Sequence, residues 1–263
     1  MLKISIITIV FNDAIGLEKT IKSVINQTYD NVEYIIIDGG STDGTLDIIK
    51  KYESEVTYWV SEPDEGVYDA MNKGIDLVTG QWINFMNAGD IFYSNEVVKE
   101  IFDNQQYQAK IIYGDHVNDR NSYLEKVPAK SVDNLWKGMV FCHQSAFIDA
   151  QYHKKHKYSL QYSIAGDFDF FCNAFKNKAR FQHIDKTVSI FLMGGLSSVQ
   201  NYRATMQSIR VINSHSNSLK HRLYYSTRFY LIIVLRKMRL FTLIEYIYLF
   251  MKKSERLKKY KTL

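Results

Sequence analysis

The chain has 263 residues, of which 46% are hydrophobic, and this is enough to build a substantial core in one large domain or in a domain with an appendage. Its two cysteines, Cys142 and Cys172, have no CxxC partner and no His/Cys cluster at zinc-ligand spacing, which excludes a disulfide scaffold or structural zinc and favours a reducing, cytoplasmic setting. The net charge of +5 is unevenly distributed, because residues 201–263 carry fourteen Lys and Arg against two Glu, a net of +12, and leave residues 1–200 at −7.

The first ninety residues alternate between strand and helix patterns. The N-terminal apolar run is too short for a signal peptide, so the chain is expected not to be secreted. Buried strands are predicted at SIITIVFN, VEYIIID, VTYWVSE and QWINFMNAGD, and helices between them at residues 17–27, 45–53 and 69–78. This order predicts a parallel, doubly wound sheet, in which ligands bind beyond the carboxyl ends of the strands.

Polar residues follow each of these four strands. They are Asn12 and Asp13, Asp38, Glu62 and Asp64, and Asn87 and Asp90. Loops are polar in general, so any one of these residues has an ordinary explanation, but their recurrence at one sheet edge favours a binding site.

The sequence has neither a GxxxxGK[ST] phosphate loop nor a GxGxxG turn after the first strand. Its glycines instead follow the second strand, between Asp38 and Gly44, where Asp38 can accept from a base N–H or a ribose hydroxyl. A diphosphate then needs another counter-charge, and Asp90 is the best candidate to hold a divalent cation. Lys73 is a candidate for a positive charge beside the departing phosphate, or else a solvated helix residue.

The rest of the chain divides at about residue 205. Residues 91–200 predict a helix at NEVVKEIF, a strand at AKIIYGD and a helix at AGDFDFFCNAFKN, with no linker or repeat. We therefore expect one domain of two lobes, residues 1–100 and 101–205, followed by a basic, amphipathic helical tail over residues 206–263.

The motifs SIITIVFN, DGGSTDGT, SEPDEGVYDAMNKGI and GQWINFMNAGD together resemble the family 2 glycosyltransferases of the GT-A fold, of the kind that build bacterial lipopolysaccharide, O-antigen and other polysaccharides. The resemblance is dense over residues 1–90 and sparser to about residue 198. It implies a Rossmann-like, mostly parallel sheet flanked by helices. It also implies that the first lobe binds a nucleotide-sugar and the second carries the acceptor site and the catalytic residues.

The resemblance assigns a donor site to matching positions. Thr8, Val10 and Asn12 match residues that line the nucleoside pocket, Asp38 matches the aspartate that contacts the base, and Asp64 lies in the segment that approaches the nucleoside. The remaining donor-binding assignments are Asn72, Lys73, Asn87 and Asp90, with Lys73 near the diphosphate.

The metal motif departs from the family pattern. Asp90 aligns with the aspartate that contacts Mg²⁺ or Mn²⁺, but the run Asn87-Ala-Gly-Asp90 lacks two expected carboxylates. The resemblance therefore implies either a weak cation site at Asp90 or complete metal independence.

The resemblance also implies a catalytic base that takes the proton of the acceptor hydroxyl. Asp167, in Ala165-Gly-Asp-Phe-Asp, matches it, and Asp169 is the alternative, on another face of the helix. His143 and Gln144 resemble a pair on the acceptor side, although a histidine beside apolar residues is more often structural. Gly194–Ser198 matches a segment that closes over the donor, or is an ordinary loop.

The basic tail is aromatic and aliphatic between residues 222 and 251. Its longest uncharged run, Phe229–Leu235, is far shorter than the roughly 18–20 residues that cross a bilayer. Two apolar helices joined at RKMR and followed by KKSERLKKYK predict binding to an anionic membrane surface through residues 222–263. The alternative is a hairpin packed on the domain or forming a homodimer. No nucleic-acid motif accompanies the charge, so no nucleic-acid partner is expected.

These observations predict an inverting, non-processive glycosyltransferase at the inner face of the cell membrane. It is expected to move a hexosyl or N-acetylhexosaminyl group from a nucleotide-sugar, in particular a UDP-sugar, to a lipid-linked or oligosaccharide acceptor. Two alternatives are a nucleotidyltransferase, which needs the phosphate loop that is missing, and a catalytically silent nucleotide-sugar-binding scaffold, which the thinned metal motif favours.

Overall fold

A computed structural model describes residues 1–120, 122–192, 201–216, 218–237 and 256–257. These residues form a ten-stranded mixed sheet with apolar clusters on both of its faces. Gly194–Ser198 and the second predicted tail helix lie outside the described residues.

The first four strands form a parallel half-sheet. They are β1 Ile4–Val10, β2 Val32–Asp38, β3 Tyr58–Ser61 and β4 Trp82–Phe85. β1 pairs with β2 and β4, and β2 pairs with β3, all in parallel. All seven residues of β1 are buried, as expected for a strand with helices on both sides. The parallel, doubly wound sheet predicted from the alternating pattern is confirmed.

Three helices connect these strands: α1 Ala14–Ile25, α2 Thr45–Lys51 and α3 Val67–Leu77. Residues of α1 and α2 share one apolar cluster, whereas residues of α3 belong to the cluster on the other face. Asp13 caps α1, because its Oδ1 accepts from Gly16 N at 2.9 Å. At Gly74 an added Cβ would lie 2.7 Å from Ile7 Cγ2, so this glycine lets α3 approach β1 closely.

The second half of the sheet is mainly antiparallel. Its strands are β5 Ile91–Phe92, β6 Ile111–Asp119, β7 Leu124–Val127, β8 Ala146–Asp149 and β9 Phe181–Leu192. β8 joins the halves by pairing antiparallel with both β4 and β6, while β6 and β9 run parallel.

Helices and short 3₁₀ segments accompany this half. The helices are α4 Val97–Phe102, α5 Ala150–Lys155 and α6 Gly166–Lys176, and the 3₁₀ segments are Val132–Lys137 and His143–Ser145. A further 3₁₀ segment, Glu53–Glu55, lies between α2 and β3 of the first half. The predicted elements at NEVVKEIF, AKIIYGD and AGDFDFFCNAFKN are confirmed as α4, β6 and α6.

Two helices follow, α7 Asn201–His215 and α8 Leu219–Lys237. The domain boundary predicted at residue 205 falls inside α7, which packs against α6. A two-residue strand, β10 Arg256–Leu257, pairs with the edge of β7, where a helical tail was predicted; an edge strand has unpaired backbone groups that favour such pairing. No helix within the described ranges is long and apolar enough to cross a bilayer.

Candidate active site

The carboxyl ends of the four parallel strands meet at one edge of the sheet, and the loops that follow carry the predicted donor residues. Asn12 joins two of these loops. It has a φ of +50°, in the left-handed region that Asn tolerates, and its N–H donates to Ser41 Oγ at 2.7 Å. Its Oδ1 accepts from Thr42 N at 2.8 Å. Asn12 therefore fixes the turn after β1 against the glycine-rich loop after β2.

Asp38 organises that glycine-rich loop. It is 0% exposed, and its carboxylate accepts from Gly40 N at 3.2 Å, Ser41 N at 3.0 Å, Ser41 Oγ at 2.5 Å and Ser61 Oγ at 2.6 Å. A carboxylate offers about four acceptor positions, so these donors occupy its capacity. The predicted contact of Asp38 with a base has no support in this arrangement, because a base N–H would have to displace one of these donors.

Asp64, Gly39 and Phe11 form an open corner beside this loop, which we call the Asp64 corner. Asp64 Oδ1 accepts from Gly66 N at 2.8 Å, while Oδ2 occupies the space that a Cβ at Gly39 would take. The Phe11 ring borders the same space, 3.3 Å from that Cβ position, and Phe11 is 64% exposed. An aromatic face next to a carboxylate edge offers stacking and hydrogen bonding to a planar base.

Three other residues were predicted to bind the donor. Two of them form hydrogen bonds within the fold through their polar side chains, and the third has an apolar side chain. Thr8 Oγ1 donates to Met86 O at 2.8 Å, and Val10 is a buried apolar side chain. Asn72 donates to Tyr158 O and accepts from Tyr158 N, both at 2.9 Å. Asn72 therefore ties α3 to the chain after α5, and the geometry gives no support to donor contacts by these three side chains.

Lys73 of α3 binds residues of the loop after β3. Its Nζ lies 2.8 Å from Glu62 Oε1 and 3.5 Å from Asp69 Oδ2, and it donates to Pro63 O at 3.0 Å. The hydrogen bond with Glu62 raises the pKa of Lys73, so the side chain carries a positive charge. The contact of Lys73 with a diphosphate stays a prediction. To form it, the Lys73 ammonium group has to exchange Glu62, Asp69 or Pro63 O for a phosphate oxygen.

Asp90, the predicted metal ligand, is buried and hydrogen-bonded within the fold. It is 5% exposed, its Oδ2 accepts from Gln144 Nε2 at 2.5 Å, and its Oδ1 accepts from Leu192 N at 2.9 Å. Burial raises the pKa of Asp90 to about 6. This carboxylate joins the end of β9 to the 3₁₀ segment His143–Ser145.

The residues present do not form a preformed cation site. Among the described residues no three His, Cys, Asp or Glu side chains are grouped to hold a metal. Both oxygens of Asp90 accept hydrogen bonds, and Asn87 supplies a neutral amide whose buried Oδ1 has no partner within the described ranges. Mg²⁺ and Mn²⁺ prefer charged oxygen ligands, and in the run Asn87-Ala-Gly-Asp90 such a ligand is offered by Asp90 alone.

Asp167, His143 and Asn87 form a chain of polar contacts. His143 Nδ1 lies 3.3 Å from Asp167 Oδ2, and His143 Nε2 lies 3.2 Å from Asn87 Nδ2. With the proton on Nδ1 alone, the neutral His143 ring donates to Asp167 and accepts from Asn87. With both ring nitrogens protonated, Nδ1 still donates to Asp167 and the ring adds a positive charge beside it. The structure therefore brings together the predicted base, the predicted acceptor-side histidine and a predicted donor-side residue.

Tyr68 completes this cluster, and the sequence did not predict it. Its hydroxyl donates to Asp167 Oδ1 at 3.0 Å and to Ile164 O at 2.7 Å, so one proton is shared between two acceptors. Gly166 makes room for this contact, since an added Cβ would lie 2.8 Å from the Tyr68 ring.

The environment of Asp167 favours its ionised form. Burial acts to raise its pKa, but the hydrogen bond and charge of His143, the N–H of Phe168 and the Tyr68 hydroxyl outweigh burial and hold the pKa of Asp167 below its usual value. An ionised, oriented carboxylate accepts a proton from a bound hydroxyl.

Asp169, the alternative base, lies elsewhere. Its Oδ1 is 2.8 Å from His215 Nε2 of α7, because two residues along a helix turn a side chain to a different face. The geometry therefore favours Asp167 over Asp169 as the base.

The sequence is similar to known glycosyltransferases over most of its length. The family model described as "Glycosyl transferase family 2" matches residues 5–179. A PGL/p-HBAD biosynthesis glycosyltransferase of Mycobacterium bovis is 32% identical over 203 residues, which is 74% of this chain and 78% of the relative.

Two solved structures share the fold. TarS 1–349 of S. aureus in complex with UDP-GlcNAc has a TM-score of 0.64 at 16% identity, covering 87% of this chain and 71% of that one. The mannosyltransferase PcManGT of Pyrobaculum calidifontis, in complex with GDP-Man and Mn²⁺, has a TM-score of 0.63 at 14% identity, covering 88% and 70%.

Proposed function

The chain belongs to glycosyl transferase family 2, and from this membership we propose that it is an inverting, non-processive transferase. It moves a hexosyl or N-acetylhexosaminyl group from a nucleotide-sugar to a lipid-linked or oligosaccharide acceptor in cell-surface polysaccharide synthesis. The contact between Asp167 and His143 is the observation that carries the proposal, because it supplies an ionised, oriented base at the second lobe.

The donor binds at the carboxyl edge of the parallel half-sheet, with its base in the Asp64 corner. Phe11 offers a stacking face, and Asp64 Oδ2 accepts from a base N–H. Uracil N3–H, guanine N1–H and the exocyclic amino groups of cytosine and adenine all fit such an acceptor, so this contact requires a base N–H but does not select one base. The UDP-GlcNAc complex of TarS supports a UDP-sugar as the donor.

The reaction is a single displacement. Asp167 accepts the proton of the acceptor hydroxyl as that oxygen attacks the anomeric carbon, the new glycosidic bond forms, and the bond to the diphosphate oxygen breaks. The diphosphate leaves with the electron pair of that bond. His143 and Tyr68 hold the Asp167 carboxylate in place. Attack opposite to the leaving group inverts the configuration at the anomeric carbon.

The exposed face of α8 supports a peripheral position on the inner face of the cell membrane. His221 and Tyr225 turn toward the domain, where His221 stacks on Trp136 at 4.2 Å between ring centroids and Tyr225 is 6% exposed. Leu219, Leu223 and Val234 lie on the opposite side of the helix and are 70%, 55% and 47% exposed. With the net charge of +12 over residues 201–263, this stripe suits an anionic bilayer surface.

A panel of UDP- and GDP-sugars tests the donor assignment. A ligand that binds the folded state raises its thermal stability, so one or more UDP-sugars are expected to raise the melting temperature and to release UDP when a saccharide acceptor is added. Stabilisation with no transfer to any acceptor favours the silent scaffold, and no stabilisation by any nucleotide-sugar contradicts the proposal.

Vesicle flotation tests the membrane assignment. We expect the full chain to float with vesicles containing anionic lipid, and the double variant Leu219→Asn, Leu223→Asn to float less. Leu160→Asn, at an exposed leucine of the first domain, is the matched control. Equal flotation of the double variant and the parent contradicts the membrane role of α8. If the double variant instead has half the molecular mass of the parent in solution, this face of α8 forms a homodimer.

A further inference from the structure

The turn before α6 has no capping side chain of its own, because the residue at the helix N-cap is Ala165. Gln207 of α7 binds the segment directly before this N-cap. Its Oε1 accepts from Ile164 N at 2.9 Å and from Ala165 N at 3.1 Å, and its Nε2 donates to Ser163 Oγ at 2.8 Å. One side chain therefore satisfies three polar groups in the segment that leads into the catalytic helix.

The backbone groups of Ile164 are bonded by two different elements. Gln207 binds the N–H of Ile164, while the Tyr68 hydroxyl donates to the Ile164 carbonyl and shares its proton with Asp167 Oδ1. A shift of this turn changes how the Tyr68 proton is divided between the two acceptors. The position of Ile164 is therefore linked to the hydrogen bonding of Asp167.

A second contact ties the same two helices together. His215 Nε2, near the end of α7, lies 2.8 Å from Asp169 Oδ1, two residues after Asp167. α7 thus contacts the turn before α6 through Gln207, and α6 itself through the contact of His215 with Asp169. Residues 207 and 215 lie beyond the predicted boundary at residue 205.

We propose that Gln207 is a positioning residue for Asp167, so that α7 is part of the support of the active site. The inference rests on the proposed transferase function and on Asp167 as its base. Gln207 acts through the turn 163–165 and has no contact with Asp167 itself among the contacts described. It therefore affects the rate of proton transfer more than the binding of the donor, whose loops lie after β1, β2 and β3.

The test compares three substitutions of Gln207 in the full chain, with the UDP-sugar found in the panel and a saccharide acceptor. Gln207→Leu keeps the size but removes all three hydrogen bonds, and we expect kcat to fall roughly 10- to 100-fold while the KM for the donor is unchanged. Gln207→Glu keeps an acceptor for both N–H groups and accepts from the Ser163 hydroxyl, and it is expected to restore kcat to near the parent value. Gln207→Asn is one methylene shorter and should behave like Gln207→Leu.

Asn213→Leu, an exposed residue of the same helix, is the matched control and should leave both kinetic constants unchanged. Parent-level kcat in Gln207→Leu overturns the inference, and if that variant does not fold, parent-level kcat in Gln207→Asn does so. A fall in kcat that Gln207→Glu fails to restore also overturns it. Absence of turnover in the parent chain counts against the transferase function and not against the positioning role.

Discussion

His143 Nδ1 lies 3.3 Å from Asp167 Oδ2, and this contact helps to hold the pKa of Asp167 below its usual value against the opposing effect of burial. His143→Ala removes both the hydrogen bond and the charge, so we expect the pKa of Asp167 to rise. Asp167 must be ionised to accept a proton, and activity is lost as the pH falls through its pKa. The acid limb of kcat/KM should therefore move to higher pH in the variant.

The measurement is the pH profile of kcat/KM for the parent and for His143→Ala, with His156→Ala as the control at a histidine outside the cluster. Near neutral pH we expect a loss of up to about 100-fold from misplacement of the base. An acid limb that stays in place after His143→Ala would show that His143 has no influence on the group that titrates.

If the Asp64 corner binds the base, two different substitutions should weaken donor binding to a similar extent. Asp64→Ala removes the acceptor for a base N–H, and Gly39→Ala places a Cβ where Asp64 Oδ2 now lies. A hydrogen bond to a charged group contributes about 1.5–3 kcal/mol, so the KM for the donor should rise roughly tenfold or more, with little change in kcat. Glu65→Ala, at the exposed neighbouring carboxylate, is the control. Unchanged donor KM in both variants contradicts the corner as the base site.

The first half of the fold was predictable because its signals are local. Runs of β-branched residues and apolar residues at helical spacing specify β1 to β4 and the helices between them, and the motifs specified the family. Asp167 and His143 were each predicted from the sequence as candidate site residues. Their contact was not predicted, since it depends on how the 3₁₀ segment His143–Ser145 packs beside α6.

The sequence did not reveal the contacts of side chains whose partners are distant in sequence. Thr8 and Asn72 have residue types that suit a ligand, but their partners are backbone groups of Met86 and Tyr158, which no local pattern reveals. Tyr68 was missed because its hydroxyl meets Asp167 99 residues further along the chain. Phe11 had a local signal, an aromatic residue directly after the first strand at a position where the loop is otherwise polar.

The lack of further ligands around Asp90 predicts a weak dependence on metal. Asp90 is 5% exposed, and no three His, Cys, Asp or Glu side chains among the described residues are grouped to hold a cation, so we expect turnover in EDTA to remain within the same order of magnitude as turnover with Mn²⁺. The assay compares nucleotide release after exhaustive chelation with release after Mn²⁺ or Mg²⁺ is restored. Loss of turnover on chelation that Mn²⁺ fully restores contradicts this expectation and indicates that Asp90 exchanges its present partners for a cation.

The most direct test of the account is the rate of sugar transfer by Asp167→Asn and Asp169→Asn beside the parent chain, with donor binding followed by thermal stabilisation. Asp167→Asn keeps the shape of the side chain but accepts no proton, so kcat should fall about 10²- to 10⁴-fold while the donor still stabilises the protein. Asp169→Asn keeps an acceptor for His215 and should turn over at a rate near that of the parent. Parent-level transfer by Asp167→Asn, or the large loss in Asp169→Asn instead, would contradict Asp167 as the catalytic base.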